Sequence, residues 1–257
     1  MKLLNRTAAH ERFVKYMAPK IKVSPFLAQT KSAEYEIKNN IASIMFEVAD
    51  FSRIIGLNPH IEKISQVKVQ SELEDNTAGE YMRGTISLAD NSYPMLDRTV
   101  AHEMFHNMQD SVHNLIYISR AQKSYTEGGA FLFESAYRSL YDPARRAMRV
   151  AQSEILLPMS FSDKEVDVIY SSIMRLDRAS RGLELYNILN RTTRGGHETT
   201  VHLNGADFVA IATRMIYGNV PKLLHVMLNS SPERAISFLE SASESVQRRS
   251  VLSRLLR

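Results

Sequence analysis

The chain has 257 residues, 44% of them hydrophobic, with 32 Lys and Arg against 28 Asp and Glu, a net charge of +4, and no cysteine. That length supports one large domain or two subdomains with a real core, and the composition is ordinary for a soluble globular protein. Without cysteine there can be no disulfide and no thiolate ligand, so any metal must be held by His, Asp, Glu or water. No apolar run approaches the ~20 residues of a membrane-spanning helix. The basic start Met1-Lys2-Leu3-Leu4-Asn5-Arg6-Thr7 lacks the apolar stretch of a secretory signal, so the expected location is the cytoplasm. A +4 balance is far from the one-sided charge of nucleic-acid binders. Arg145-Arg146-Ala147-Met148-Arg149 and the tail arginines Arg248, Arg249, Arg254 and Arg257 therefore read as solvated helix faces, and nucleic acid is not an expected partner.

Residues 1–31 are basic and show no clear apolar period. They read as an N-terminal arm, either loose or a short helix. From Ala33 to Ile55 the apolar residues Ile37, Ile41, Ile44, Val48, Phe51 and Ile54 step by three and four, which predicts an amphipathic helix ended by Gly56 and Pro59. Val67-Lys68-Val69-Gln70-Ser71 and Thr85-Ile86-Ser87-Leu88 alternate as strands do, with a turn at Asp75-Asn76-Thr77-Ala78-Gly79 between them. A helix is predicted from near Pro94, capped by Asn91 or Ser92.

Only helices follow. One is predicted from Thr126 to about Tyr141, where Asp142-Pro143 breaks it and opens another. Ser162-Asp163-Lys164-Glu165 reads as a capping box, with Phe161 and Val166 spaced as a hydrophobic staple. A further helix runs from Asn204 to Tyr217 and stops at Gly218, and Pro221 and Pro232 each open another. The polar segment 191–200 reads as a mobile loop. This order predicts an α+β fold. A small β-sheet subdomain, residues 32–113, is followed by an all-helical subdomain, residues 114–257, with the helix of residues 94–113 at their junction. A cleft between such halves is a usual place for a ligand.

That junction helix carries His102-Glu103-Met104-Phe105-His106. Positions i and i+4 lie on one helix face, so two imidazoles so placed can bind one metal ion. Glu103 then stands beside the open coordination position, where it can take a proton from a zinc-bound water. A third ligand must come from elsewhere. An extended helix motif would need Gly and His at positions occupied here by Gln109 and Val112, and His113 lies about 10 Å too far along the axis. Glu127, twenty-one residues after His106, is the best candidate, and Gly128 and Gly129 beside it would let its backbone approach the metal helix. Glu134 or Asp110 could accept the second N–H of a metal-bound imidazole.

At these residues the chain resembles the gluzincin metallopeptidases, the thermolysin and aminopeptidase group. Thr126-Glu127-Gly128-Gly129-Ala130 looks like the Asn-Glu-Gly-type segment of the aminopeptidase branch, although the gap from His106 is slightly longer than usual there. The resemblance covers roughly residues 84–229. It implies a zincin-like fold, one zinc ion on His102, His106 and Glu127, and Glu103 as the base. Downstream, His202-Leu203-Asn204-Gly205-Ala206-Asp207-Phe208, running to Tyr217-Gly218, is similar to a segment in which a Tyr stands three residues before Gly. By that match His202 is implied to stabilise the tetrahedral oxyanion, as a His does in the thermolysin branch. His197 and Tyr217 are its rivals.

The expected function is therefore zinc-dependent hydrolysis of a peptide or protein substrate. No Gly-x-Met-Glu-Asn segment, the anchor for a free substrate amine in the aminopeptidases, occurs in the chain, so an endopeptidase is expected rather than an aminopeptidase. Strand 84–88, as a sheet edge, would pair with an extended substrate, and the N-terminal arm could lie in the cleft and keep the enzyme latent. The alternative is a catalytically inactive peptidase-like protein with a structural zinc site or a partner-binding role. The intact Glu103 argues against it, because a structural site needs no base.

Overall fold

In the computed structural model the described residues are 2–73, 77–90, 95–113, 119–141, 161–192, 197–216 and 218–255. The chain divides into two compact units, Met1–Asn114 with Tyr137–Ala151, and Leu115–Ala136 with Gln152–Arg257. The architecture is α+β and mostly helical, with a small mixed sheet near the N-terminus followed by helices.

The first unit is organised by the helix read from Ala33 onward. This helix, α2, spans Lys31–Ile54. Thr30 caps it, its hydroxyl accepting from the Ala33 N–H at 3.1 Å. Gly56, at φ +81°, takes the chain out of the helix in the left-handed region. Ile41, Val48 and Phe51 of the expected stripe are buried, together with Ala42, Met45, Phe46, Ala49 and Ser52, whereas Ile37 and Ile44 are half-buried and Ile54, in the last turn, is exposed.

Of the two readings of the N-terminal segment, the helical one is found, with a short strand after it. Lys2–Met17 forms α1, which packs on α2 through His10 and Phe13, both edge-on to Phe46 at 5.1 and 5.5 Å. Met17 and Ile21 are fully buried, and Ile21–Val23 forms strand β1. The segment is built into the unit rather than free to act as a loose arm.

Strands β2 (Gln66–Gln70), β3 (Gly79–Met82) and β4 (Thr85–Ala89) complete a sheet of order β1-β2-β4-β3. β1 and β4 both run parallel to β2, with Val67 opposite Ile86 and Val69 opposite Leu88, and these four side chains are buried. β3 pairs antiparallel with β4. It escaped the periodicity because Gly79-Glu80-Tyr81-Met82 has no apolar alternation, and β1 because three residues carry no period. The topology also corrects the reading of strand 84–88 as a sheet edge. β4 is internal, and the edge beside it is β3.

Helix α3 (Leu96–His113) packs against α2, β3 and β4. Asn91, Ser92 and Pro94, the expected start signals, lie outside the described residues. Asn107 fastens the helix. Its buried amide donates to the carbonyls of Pro59 and His60 at 3.2 and 3.1 Å, across a turn in which His60 is left-handed at φ +46°. Asn107→Ala would leave both carbonyls without that donor, at a cost of about 2 kcal/mol. A lowered urea midpoint with an unchanged slope is the expected result.

In the second unit, α4 spans Arg120–Tyr141 and starts six residues before Thr126; its last turn, from Tyr137, belongs to the first unit. The capping box is formed. The Ser162 hydroxyl accepts from the Glu165 N–H, and the Glu165 carboxylate accepts from the Ser162 N–H at 2.7 Å, opening α5 (Asp163–Arg175). Val166 is buried, and Phe161 lies beneath the Arg191 guanidinium at 4.6 Å. Asp177 caps α6 (Arg178–Asn190).

Helix α7 (His197–Met215) starts seven residues before Asn204, so residues 197–200 belong to a helix and not to the expected loop. Asp207, fully buried, holds Arg191 at 2.6 Å, and the Asn204 amide donates to the Arg191 carbonyl at 2.9 Å; both tie the end of α6 to α7. After Gly218, at φ +72°, come α8 (Val220–Asn229), capped by Asn219, and α9 (Pro232–Leu255). Pro221 and Pro232 open these helices as expected. The helix expected after Asp142-Pro143 and the Arg145–Arg149 cluster lie outside the described residues. No helix among the described residues is long and apolar enough to cross a membrane.

Candidate metal centre

The buried face of α3 is not purely apolar. Glu103, His106, Asn107 and Gln109 are buried on it beside Val100, Met104 and Phe105, and His102 is half-buried. Burying this many polar groups on one helix is costly unless each has a partner. His102 and His106 lie one turn apart, ring centroids 4.9 Å from each other and planes at 75°. Their Nε2 atoms face one another at 3.2 Å. Two nitrogens at ~2.05 Å from one tetrahedral zinc would stand about 3.3 Å apart, so the pair is already spaced as two ligands of a single ion.

The other nitrogen of His106 is committed. Nδ1 lies 2.9 Å from Gln109 Oε1. An amide oxygen only accepts, so it holds the proton on Nδ1 and leaves the Nε2 lone pair for a metal. For His106 the partner is thus Gln109, which the sequence reading, naming Glu134 or Asp110 for a metal-bound imidazole, did not include. Its signal was available, since Gln109 stands at i+3 from His106 on the same face. Asp110 accepts from the Tyr81 hydroxyl at 2.8 Å, which itself accepts from the Gly84 N–H at 2.8 Å. Burial, then this bond to Asp110, pushes the Tyr81 hydroxyl above the ordinary phenol range, so it stays a donor. Glu134 is buried on α4.

Glu103 sits where α3 passes under the edge strand. A side chain at Gly79 of β3 would collide with Thr99 and stand 2.9 Å from Glu103 Oε1. Glycine at that position lets the strand backbone come down onto the carboxylate.

Glu127 is buried on α4. The two glycines after it were expected to bring its backbone toward the metal helix. The structure gives Gly128 a different neighbour, Gly205 of α7. A Cβ on Gly128 would lie 2.5 Å from the Gly205 carbonyl oxygen, and one on Gly205 would lie 2.6 Å from the Gly128 nitrogen and strike the Ser124 carbonyl. Glycine inside a helix costs about 1 kcal/mol against alanine, and here it permits backbone-to-backbone contact of two helices. Glu127 and His202 flank that crossing, with His202 Nε2 3.3 Å from Glu127 Oε2. The Phe131 ring stands edge-on to His202 at 5.6 Å.

His102, His106 and Glu127 each offer a ligand atom, and these atoms all lie within 4.8 Å of one another, a group that can hold a metal ion. The donor set is two imidazoles and one carboxylate, without thiolate, as the composition required. His113, exposed at the end of α3, is not in the group. His202 is near its third member but outside it. His197 is in the first turn of α7, and Tyr217 lies outside the described residues.

The chain was compared with known protein families, curated proteins and solved structures, and none of them matches it.

Proposed function

We propose that the chain is a zinc-dependent peptidase, gluzincin-like in its site and zincin-like in its fold, which hydrolyses peptide bonds as an endopeptidase. The observation that carries this reading is the convergence of His102, His106 and Glu127, one ligand atom from each within 4.8 Å of the others, with a buried carboxylate, Glu103, next in sequence to the first.

Two histidines and one glutamate fit a catalytic zinc site, which keeps a fourth position open. Zinc held there would make a water nucleophilic near neutral pH and polarise the scissile carbonyl. Glu103 takes the proton of the attacking water and returns it to the departing amine. Gln109 keeps His106 in the tautomer that offers Nε2 outward. The strand β3, the sheet's edge among the described residues and close over Glu103 at Gly79, is where an extended substrate can add as a further strand. This role passes from β4 to β3. The missing amine anchor in the sequence supports the endopeptidase reading over the aminopeptidase one.

The test pairs metal analysis of the purified protein with digestion of an unbiased peptide library. One equivalent of zinc is expected, with cleavage that a chelator abolishes and added zinc restores. His106→Ala should lose both metal and cleavage. A protein that takes up no zinc at micromolar concentrations overturns the reading.

A further inference from the structure

His202 entered as an oxyanion donor by resemblance, yet its surroundings point elsewhere. The helix crossing at Gly128 and Gly205 sets the separation of α4 and α7 at backbone contact. Glu127 precedes Gly128 directly, and His202 precedes Gly205 by three residues, so the crossing brings their side chains to one place. There Nε2 of His202 stands 3.3 Å from Oε2 of Glu127. Phe131, one turn after Glu127 on α4, sets its ring edge-on to the imidazole and limits its rotation.

We propose that His202 is a positioning residue, its Nε2–H facing Oε2 of the metal-ligating Glu127 and leaving the other carboxylate oxygen for the ion. The inference rests on the metal reading above and assigns His202 a role on the ligand in place of one on the substrate. A ring nitrogen that faces a carboxylate is not at the same time aimed at a developing oxyanion, and Nδ1 lies on the other side of the imidazole. A carboxylate with one oxygen engaged by a donor loses rotational freedom and binds through the other. Outer groups of this kind, which orient a ligand, typically contribute 10- to 100-fold in metal affinity. Gln109 on His106 and His202 on Glu127 are then parallel devices, one for each kind of ligand.

The experiment measures zinc affinity by competition with a chromogenic chelator at fixed pH, independently of turnover, for the wild type, His202→Ala and His202→Gln. His202 is part-exposed, so the variants should fold, and circular dichroism checks that they do. The expected result is a loss of about 10- to 100-fold in affinity for His202→Ala, largely regained in His202→Gln, which keeps an N–H donor. Wild-type affinity in His202→Ala overturns the inference. If peptide cleavage then falls at saturating zinc, the oxyanion role is the correct one. If the wild type itself fails to bind zinc, the metal reading falls and carries this inference with it.

Discussion

On the proposed peptidase mechanism, replacing Glu103 by Gln is expected to leave zinc binding intact and to lower kcat/KM for a cleaved peptide by about 10²- to 10⁴-fold, the range in which removal of a general acid–base usually falls. The change is nearly isosteric, so it tests chemistry rather than packing. Glu103 is 5% exposed, and its Oε1 lies under the backbone of β3 at Gly79, a position with no room for a larger group. The amide fits the same space but cannot accept a proton from the attacking water or deliver one to the leaving amine. It is not among the three grouped ligands, so zinc stoichiometry should stay at the wild-type value. Cleavage by the Glu103→Gln protein at the wild-type rate would remove Glu103 from the mechanism. A simultaneous loss of metal would show that the carboxylate belongs to the ligand set.

The second large effect is expected at a residue with no side chain. Gly205→Ala would place a methyl 2.6 Å from the Gly128 nitrogen and against the Ser124 carbonyl. The obstacle is backbone on both counts, so no rotamer change can relieve it, and α4 and α7 must separate. Overpacking of a close interior contact costs about 3 kcal/mol, which should lower the melting temperature by several degrees in a chain of this size. The functional consequence is more specific than the loss of stability. Glu127 and His202 flank the crossing, so its widening should weaken zinc binding even in the protein that remains folded. Gly182→Ala is a useful control. Its new methyl would meet the Glu240 carboxylate, the far end of a flexible side chain, and it lies on α6 away from the crossing. Equal zinc affinity in the Gly205→Ala and wild-type proteins would mean that the crossing does not position Glu127.

Local chemistry in the chain was enough to determine most of the helices. Each of these signals acts within a few residues: the three-and-four spacing of α2, the Ser162–Glu165 box and the prolines at 221 and 232. The two strands with buried alternation, β2 and β4, were legible for the same reason. The His102–His106 pair was legible because helical geometry alone decides that residues four apart share a face.

Tertiary structure decided what depends on residues distant in sequence. α1 and β1 take their order from α2 and β2, and β3 from its pairing with β4, against which its own four residues have no pattern. The early start of α7 was hidden by its polar first turn. The neighbour of Gly128 could not be read either. A glycine in a helix announces a close approach but not its partner, and that partner, Gly205, lies far along the chain. Glu127 could be named from its spacing, but only the folded chain shows a carboxylate oxygen of it grouped with the two histidine nitrogens, and its Oε2 3.3 Å from His202 Nε2. Short-range geometry specifies which groups can act as ligands, whereas their convergence depends on the packing of separate helices, to which no local pattern responds.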